Sequence, residues 1–302
     1  MKENIVEING LKKKYNNFTA VNNISFSIKK GEILALLGPN GAGKTTTLEC
    51  LEGILEPTEG EILVNELNIK TKQSKIRKVM GVQLQSSSLP STMTVEECIS
   101  LFCSYYNINP QQDLLKRFQL EHLKKKCYGQ LSVGQQRRLV LAIAIAHKPK
   151  ILILDEPTAG LDVVSRIELH KIIQELRDDD TSILLASHDM AEVEKLADKV
   201  VVLLNGEIVK EGSPEEISQS MSKLTKISIK TEEPIDNYEE ISESIEKIKE
   251  NDNYYEFYAQ DINEMLYKLV NNVNKNNNKI IDLKVERPNL EETFIKLTKI
   301  GG

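Results

Sequence analysis

Long hydrophobic runs are scarce in this 302-residue sequence. The longest purely apolar run covers residues 139–146, well short of the ~20 residues that a membrane-spanning helix needs. No apolar stretch follows the polar residues Met1 to Asn4 either, so we expect no secretory signal there. These absences predict a chain that does not itself line a membrane channel.

Cysteines are few, and their spacing suggests neither a disulfide framework nor a metal site. The four cysteines form no C-x-x-C pair, and no histidine stands at metal-ligand spacing beside them. We therefore expect free thiols in a reducing cytosol.

An excess of basic charge is missing as well. The formal net charge is −6, and most of the acidic excess lies from Thr225 onward. Proteins that bind nucleic acid phosphates carry basic patches, so no nucleic acid partner is expected. Over this length, 40% hydrophobic and 28% charged residues fit a globular protein with more than one domain.

What the sequence does contain is a glycine-rich loop between a predicted strand at 33–37 and a predicted helix at 45–51. The phosphate-binding pattern G-x-x-x-x-G-K-[ST] is matched by Gly38-Pro39-Asn40-Gly41-Ala42-Gly43-Lys44-Thr45, which Thr46 follows. The glycines allow a sharp turn, so that backbone N–H groups and the helix dipole can hold anionic oxygens. Lys44 is predicted to reach the β- and γ-phosphates of a nucleotide, and the Thr45 hydroxyl to bind Mg²⁺.

Strands alternate with helices over the first two thirds of the sequence. Strands are predicted at 5–8, 24–28, 33–37, 61–64, 79–84, 151–154, 183–186, 200–204 and 207–209, and helices at 45–51, 94–106, 132–147 and 167–176. Several strands are uniformly apolar, which argues for a mainly parallel sheet covered on both faces. Tyr15 is predicted on a polar loop between the first two strands.

A composition change after Gly212-Ser213-Pro214 marks a second domain. Strands are predicted at 226–230, 254–259 and 280–286, helices at 239–250 and 262–273, an exposed Asn- and Lys-rich loop at 271–279, and a last helix capped at Asn289. The pattern divides the chain into a nucleotide-binding domain, residues 1–220, and a small accessory α/β domain, residues 225–302.

Two carboxylates, Asp155 and Glu156, end the apolar strand at 151–154. Ligands of open α/β sheets bind outside the carboxyl ends of the strands, so we expect this pair in one pocket with the phosphate loop. Asp155 is predicted to hold Mg²⁺, through water or through the Thr45 site. Glu156 is predicted to take a proton from an attacking water, because a carboxylate beside the γ-phosphate can act as a general base.

Six motifs in this order resemble the ATPase domain of ABC transporters. The Walker A, Q-loop, signature, Walker B, D-loop and H-loop motifs correspond to Gly38 to Thr45, Gln85, Leu131 to Gln135, Ile151 to Glu156, Ala159 to Asp162, and His188. The resemblance covers roughly residues 5–212. It implies the α/β fold of a P-loop NTPase of the ABC ATPase type, with a mainly parallel sheet, a helical signature subdomain and antiparallel N-terminal strands.

The resemblance implies functions for residues outside the phosphate loop. Tyr15 matches the aromatic residue that stacks on adenine, with a tyrosine packed on the core as the alternative. Gln85 would sense Mg²⁺ and water, with Gln83 as the alternative residue. His188 would hydrogen-bond the γ-phosphate of ATP. The implied catalytic residues are Glu156, His188 and Gln85, and the implied metal ligands are Thr45, Asp155 and Gln85.

A second copy of the chain is also implied. The signature helix, with a capping box from Ser132 to Gln135, would present N–H groups to ATP bound by another copy, so that two ATP molecules join two domains head to tail. Gly134 belongs to the same contact, and Asp162 would act across the dimer. Val133 replaces the Gly of the family's commonest signature. Because Ser132 and Gly134 remain, we expect the phosphate contact to survive.

The tail, residues 285–298, resembles the end of ATPase subunits from exporters whose membrane part is a separate polypeptide. Its alternative interpretation is a capped amphipathic helix that packs on its own domain. We therefore predict a subunit that hydrolyses ATP to drive export of an unidentified substrate. It would act as an ATP-dependent homodimer on a separate integral membrane permease, as a peripheral protein at the cytoplasmic face of the cell membrane.

Two other functions stay open. A soluble ABC ATPase acting on ribosomes or DNA usually carries paired ATPase domains or a long coiled-coil insertion, whereas this sequence has one Walker A motif and no sustained heptad repeat. The ATPase of an importer is the other alternative, and the resemblance of the tail to exporter subunits argues against it.

Overall fold

The computed structural model describes residues 3–84, 89–109, 113–221, 225–235, 249–251, 254–286, 290–291 and 294. The chain divides into two compact units, Met1–Pro214 and Glu215–Gly302. Among the described residues, no helix combines the length and the apolar character needed to cross a bilayer.

The first unit is built from alternating strands and helices. Its strands are β1 (Asn4–Tyr15), β2 (Phe18–Lys29), β3 (Ile33–Leu37), β4 (Glu59–Val64), β5 (Leu67–Asn68), β6 (Met80–Gln83), β7 (Ile151–Asp155), β8 (Ser182–Ser187), β9 (Lys199–Leu204) and β10 (Glu207–Gly212). Its helices are α1 (Lys44–Leu51), α2 (Gln73–Ile76), α3 (Val95–Tyr105), α4 (Leu114–Arg117), α5 (Val133–Ile145), α6 (Val163–Asp178) and α7 (Met190–Leu196).

A six-stranded sheet of order β10-β9-β3-β8-β7-β6 forms the centre of this unit. Neighbouring strands from β9 to β6 pair in parallel, and β10 joins as an antiparallel edge. In the fully buried strand β7, Leu152 and Leu154 pack in one hydrophobic cluster with α3, α5 and α6, whereas Ile151 and Ile153 pack in another with α1 and the N-terminal strands. Because side chains alternate across a strand, both faces of the sheet are covered, as predicted for a mainly parallel α/β fold.

An antiparallel sheet of order β2-β1-β4-β5 forms a second layer. The pairing of β1 with β2 shifts register at several points between Asn4 and Lys14, and such irregularities break the alternation of buried and exposed residues. The sequence pattern therefore indicated only short strands at 5–8 and 24–28, whereas β1 and β2 each span 12 residues. Tyr15 is the last residue of β1, so its placement on a loop was wrong.

The second unit contains a four-stranded antiparallel sheet and two helices whose bounds are described, and residues 290–291 and 294 are helical as well. The strands, in spatial order, are β12 (Lys249–Asn251), β13 (Tyr254–Ala259), β11 (Thr225–Thr231) and β14 (Ile280–Glu286), and the helices are α8 (Pro214–Met221) and α9 (Ile262–Lys275). The Asp261 side chain caps α9 by accepting the Glu264 N–H. The buried side chains Met265, Leu269 and Val273, four residues apart, lie along one face of α9 and pack on the sheet.

Two boundaries predicted in this unit were wrong. The predicted helix at 239–250 lies mostly outside the described residues, but its last residues belong to strand β12. The predicted loop at 271–279 begins too early, because α9 continues to Lys275. The cap predicted at Asn289 lies outside the described residues.

Candidate functional site

The loop at 38–43 leads from β3 into α1 and packs closely against neighbouring strands at Gly38 and Gly43. Gly41 and Gly43 have φ angles of 82° and 102°, values that favour glycine. A Cβ atom on Gly43 would lie 2.6 Å from the Ala20 carbonyl oxygen, and one on Gly38 would lie 2.4 Å from the Leu203 carbonyl oxygen. Glycine at 38 and 43 therefore lets the loop pass against the neighbouring strands.

Lys44 opens α1 and is almost buried, with 6% of its surface exposed. Its Nζ donates hydrogen bonds to the carbonyl oxygens of Gly38 (2.7 Å) and Pro39 (3.2 Å) and lies 3.9 Å from Glu156 Oε1. Burial lowers the pKa of Lys44, and the charges of Glu156 and Asp155 oppose that effect. The ammonium group is thus held inside the curve of the loop, where an anion would meet it.

The start of α1 faces a cavity of about 260 Å³. The first N–H groups of a helix have no acceptor within the helix, and the capping residue Gly43 has no side chain that could supply one. The cavity is lined by Tyr15, Phe18, Ala20, Pro39, Asn40, Gly41, Gly43, Lys44, Thr45, Thr46, Asp155 and Glu156. This set contains most of the residues predicted for the phosphate loop, together with the predicted adenine contact and both carboxylates.

The carboxylate pair lies at the carboxyl end of β7. Asp155 and Glu156 are 5% and 7% exposed. Burial, and next the charge of Glu156, raises the pKa of Asp155. Glu156 has a φ of 48°, rare for a residue with a side chain, and its N–H is held by the Ala186 carbonyl oxygen at 2.9 Å. Strained backbone of this kind occurs at functional sites.

His188 follows β8 and joins the same cluster. Its Nδ1 lies 2.8 Å from Glu156 Oε1, and its side chain is 58% exposed. Lys44 and His188 therefore both approach the same oxygen of Glu156. Two side chains, one from α1 and one from the residue after β8, thus meet at the carboxylate of Glu156.

Two exposed aromatic residues also line the cavity. Tyr15 is 42% exposed and Phe18 is 64% exposed, and Lys13 Nζ lies 5.3 Å from the centre of the Tyr15 ring. Phe18 was not among the residues predicted for the site. Its position three residues after Tyr15, across the hairpin turn, is the signal that could have identified it.

The structure describes only one of the two candidate glutamines. Gln85 lies outside the described residues. Gln83 lies in β6 with no exposed surface, and no hydrogen-bond partner reaches its amide among the described residues. Gln83 does not line the cavity at the phosphate loop.

The signature residues lie apart from this cavity within one chain. The Ser132 hydroxyl accepts the Gln135 N–H at 3.3 Å, and Gln135 Oε1 accepts the Ser132 N–H at 3.0 Å. This capping box starts α5 and leaves Val133 53% exposed. A Cβ atom on Gly134 would lie 2.5 Å from Ser165 Oγ, so glycine lets α5 approach α6 closely.

Asp162 caps α6 through that same Ser165. Its Oδ1 accepts the Ser165 N–H at 2.9 Å, and its Oδ2 accepts the Ser165 hydroxyl at 2.8 Å. These hydrogen bonds lower the pKa of Asp162. Ser165, which sequence reasoning did not single out, thus connects the signature helix with Asp162.

Comparisons with known proteins agree with this geometry. The sequence profile described as "ABC transporter" matches residues 21–159, and that described as "ATP-binding protein DrrA1-3-like, C-terminal domain" matches residues 212–298. The Nod factor export ATP-binding protein I of Burkholderia orbicola is 35% identical over 243 residues, which cover 78% of this chain and 80% of that protein. The chain belongs to the ABC transporter family, as an ATP-binding subunit.

Other relatives of this ABC ATP-binding subunit carry different names. The energy-coupling factor transporter ATP-binding protein EcfA of Methanocaldococcus jannaschii is 35% identical over 240 residues, covering 75% of this chain and 85% of that protein. A protein of Escherichia coli named "Probable multidrug ABC transporter ATP-binding protein YbhF" is 34% identical over 221 residues. That match covers 71% of this chain but only 38% of YbhF, so the chain spans less than half the length of that relative.

Solved structures share the fold of this ABC subunit. A structure of the ATP-binding subunit of an ABC transporter has a TM-score of 0.66 and 27% identity, covering 72% of this chain and 93% of its own. A dimeric structure of a post-hydrolysis state of an ATP-binding cassette, bound to ADP and Pi, has a TM-score of 0.63 and 26% identity. The match covers 69% of this chain and 98% of that chain. The α/β fold with parallel sheet, helices and antiparallel N-terminal strands is thus the fold of ABC ATPase cassettes, as predicted.

Proposed function

We propose that this chain hydrolyses ATP to drive transport by an ABC exporter whose membrane permease is a separate polypeptide. The observation that carries the proposal is the meeting of Lys44, Glu156 and His188 beside the phosphate loop, with Glu156 Oε1 at 3.9 Å from Lys44 Nζ and 2.8 Å from His188 Nδ1. Residues 1–220 would carry this activity, and residues 225–302 would form an accessory domain.

ATP would bind along the 260 Å³ cavity. The N–H groups of the loop and of the start of α1 would hold the phosphates, and Lys44 would turn from the loop carbonyls toward the phosphate oxygens. Tyr15 would stack on adenine, and Phe18 beside it extends the aromatic surface. The close approach of Gly38 and Gly43 to neighbouring carbonyls supports this assignment, because it fixes the loop that presents the N–H groups.

The donor set at the cavity fits Mg²⁺. Thr45 and Asp155 line it together, and hydroxyl and carboxylate oxygens are ligands that this hard cation takes. Thr45 and Asp155 would hold the ion, with Gln85 as the third residue. Once bound with ATP, Mg²⁺ would neutralise charge on the phosphates.

Glu156 would act as the general base. Its carboxylate would accept a proton from the water that attacks the γ-phosphate, an effect that contributes roughly 10²–10⁴-fold to the rate. Its constrained backbone and the contact with His188 aim the acceptor oxygen. His188, half exposed, would hydrogen-bond the γ-phosphate.

A second copy would complete each site. Ser132, Gly134, Gln135 and Asp162 do not line the cavity of their own chain, so they would contact ATP held by a partner copy. The capped start of α5 offers N–H groups for this contact. The similar cassette whose structure is a dimer with ADP and Pi supports the same arrangement here.

The proposals for the membrane partner and for the direction of transport rest on similarity to relatives. The similarity to a Nod factor export protein over 78% of this chain, together with the match of the C-terminal region to a DrrA1-3-like domain, supports export. The protein would then lie at the cytoplasmic face of the membrane as a peripheral subunit. The similarity to EcfA favours a second candidate, the ATPase of a transporter of the energy-coupling factor type.

Mg²⁺-ATP hydrolysis by the purified full chain tests the proposal. Glu156→Gln keeps the size of the side chain but removes the base, so we expect kcat to fall by roughly 10²–10⁴-fold while ATP-bound dimers accumulate in size-exclusion chromatography. Glu194→Gln, a change of an exposed glutamate, serves as the matched control. Normal hydrolysis by Glu156→Gln would remove Glu156 from its assigned function.

A further inference from the structure

A buried polar network adjoins His188 and lies outside the cavity at the phosphate loop. Glu192 of α7 is 1% exposed, His170 of α6 is 4% exposed, and Ser187 at the end of β8 is fully buried. None of these three side chains lines the cavity at the phosphate loop. The network therefore does not serve to bind ATP directly.

The two residues that flank His188 are tied together by one hydroxyl. Ser187 Oγ accepts the Asp189 N–H at 3.0 Å and donates to Glu192 Oε2 at 2.6 Å. A hydroxyl has one proton to donate, so the proton of Ser187 is committed to Glu192. The backbone on both sides of His188 is thereby fixed to Glu192 through Ser187.

Glu192 is in turn held by α6. Its Oε1 lies 3.3 Å from His170 Nε2, and its N–H donates to Asp189 Oδ1 at 3.1 Å. Arg166, one turn before His170 on α6, donates from Nη1 to Asp189 Oδ2 at 3.0 Å. Two side chains four residues apart on α6 therefore hold the segment that carries His188.

A carboxylate this deeply buried is costly unless its oxygens are paired. Here each oxygen of Glu192 has a partner, one from the strand end and one from α6. Hydrogen bonds to both oxygens of a buried carboxylate restrict the chain to one arrangement, although His170 Nδ1 has no hydrogen-bond partner among the described residues. The arrangement fixed here sets where His188 reaches Glu156, at 2.8 Å.

We propose that Glu192, held by His170 and bonded to Ser187, is a positioning residue that sets His188 against Glu156 for ATP hydrolysis. The proposal rests on the proposed function of His188 and Glu156. Because α6 also begins at the capping residue Asp162, the same helix connects the His188 segment with the region expected to face the second copy.

The test is a double-mutant cycle between Glu192→Gln and His188→Ala, read out as kcat and KM for ATP. Glu192→Gln alone should lower kcat about ten-fold, the effect of losing one hydrogen bond to a charged group, with KM changed less than about two-fold. In the His188→Ala background it should cause no further loss, because Glu192 acts through His188. The matched control Glu194→Gln should leave kcat unchanged in both backgrounds.

An equal loss of kcat in both backgrounds would overturn the proposal, and so would wild-type kcat in Glu192→Gln. If Glu192→Gln does not fold, Ser187→Ala removes only the connecting hydroxyl and should show the same non-additivity. The His188 ring resonances, followed by NMR, give a readout that needs no hydrolysis. They should shift in Glu192→Gln and not in Glu194→Gln. If the resonances shift while His188→Ala hydrolyses ATP normally, Glu192 does position His188. In that case the proposed function of His188 in hydrolysis is wrong.

Discussion

Glu52, at the end of α1, is a buried acid whose ionisation should weaken the fold. It is 9% exposed, and neither carboxyl oxygen has a hydrogen-bond partner among the described residues. Burial, followed by the charges of Asp155 and Glu49, raises the pKa of Glu52 from 4.5 to about 7. The folded chain therefore prefers Glu52 protonated.

The sign and size of the effect follow from this difference. The stability that protonated Glu52 contributes is complete below the unfolded-state pKa of 4.5 and is lost as the pH rises through about 7. At about 1.4 kcal/mol for each pH unit across this window, the loss reaches about 3 kcal/mol. Glu52→Gln is neutral at every pH, so its free energy of unfolding should exceed that of the wild type by up to about 3 kcal/mol at pH 8. At pH 5 the difference should shrink below about 1 kcal/mol.

Urea unfolding at pH 5 and pH 8 measures both differences. Glu56→Gln is the matched control, since the Glu56 side chain is 79% exposed and its change should alter stability by less than about 0.5 kcal/mol at either pH. A Glu52→Gln variant that is no more stable than the wild type at pH 8 would show that ionisation of Glu52 does not weaken the fold. So would a gain that is equal at the two pH values.

Two further predictions concern nucleotide binding. Lys44→Ala should weaken ATP binding at least ten-fold in an equilibrium titration, because a hydrogen bond to a charged group contributes about 1.5–3 kcal/mol. The control Lys29→Ala, a change of an exposed lysine, should bind ATP normally. Equal affinities of the two variants would contradict the assignment of Lys44. Tyr15→Ala should raise the Kd for ATP about ten-fold, since stacking of a base on an aromatic ring contributes about 1–3 kcal/mol. Tyr15→Phe keeps the ring and should raise the Kd less than about two-fold. Equal effects of the two changes would show that the face of the Tyr15 ring does not contact the base.

The central sheet was predictable from sequence because its strands are buried on both faces. Strands such as β7 read as unbroken apolar runs, and the change from such a run to Asp155-Glu156 marks the carboxyl end where the site lies. In the second unit, β13 and β14 were predicted with their observed bounds. The Asn- and Lys-rich composition around Lys275 hid the end of α9, because an exposed helix end carries no apolar pattern.

The rest depended on contacts between residues far apart in sequence. The burial of Glu192 and its bonds to Ser187 and His170 arise only when α6 packs beside α7. A glutamate on a short helix otherwise suggests a solvated face. The same holds for Glu52, which is buried at the end of α1, a helix that contacts β2 and β7.

Capture from membranes tests whether this ATP-binding subunit serves a membrane transporter. The tagged full chain is captured from gently solubilised membranes, with Glu156→Gln in parallel to hold the ATP-bound state, and the co-purifying polypeptide is identified by mass. We expect a separate integral membrane protein with several apolar spans, recovered in proportion to the tagged chain. Recovery of ribosomal proteins or DNA in its place would contradict the assignment to transport.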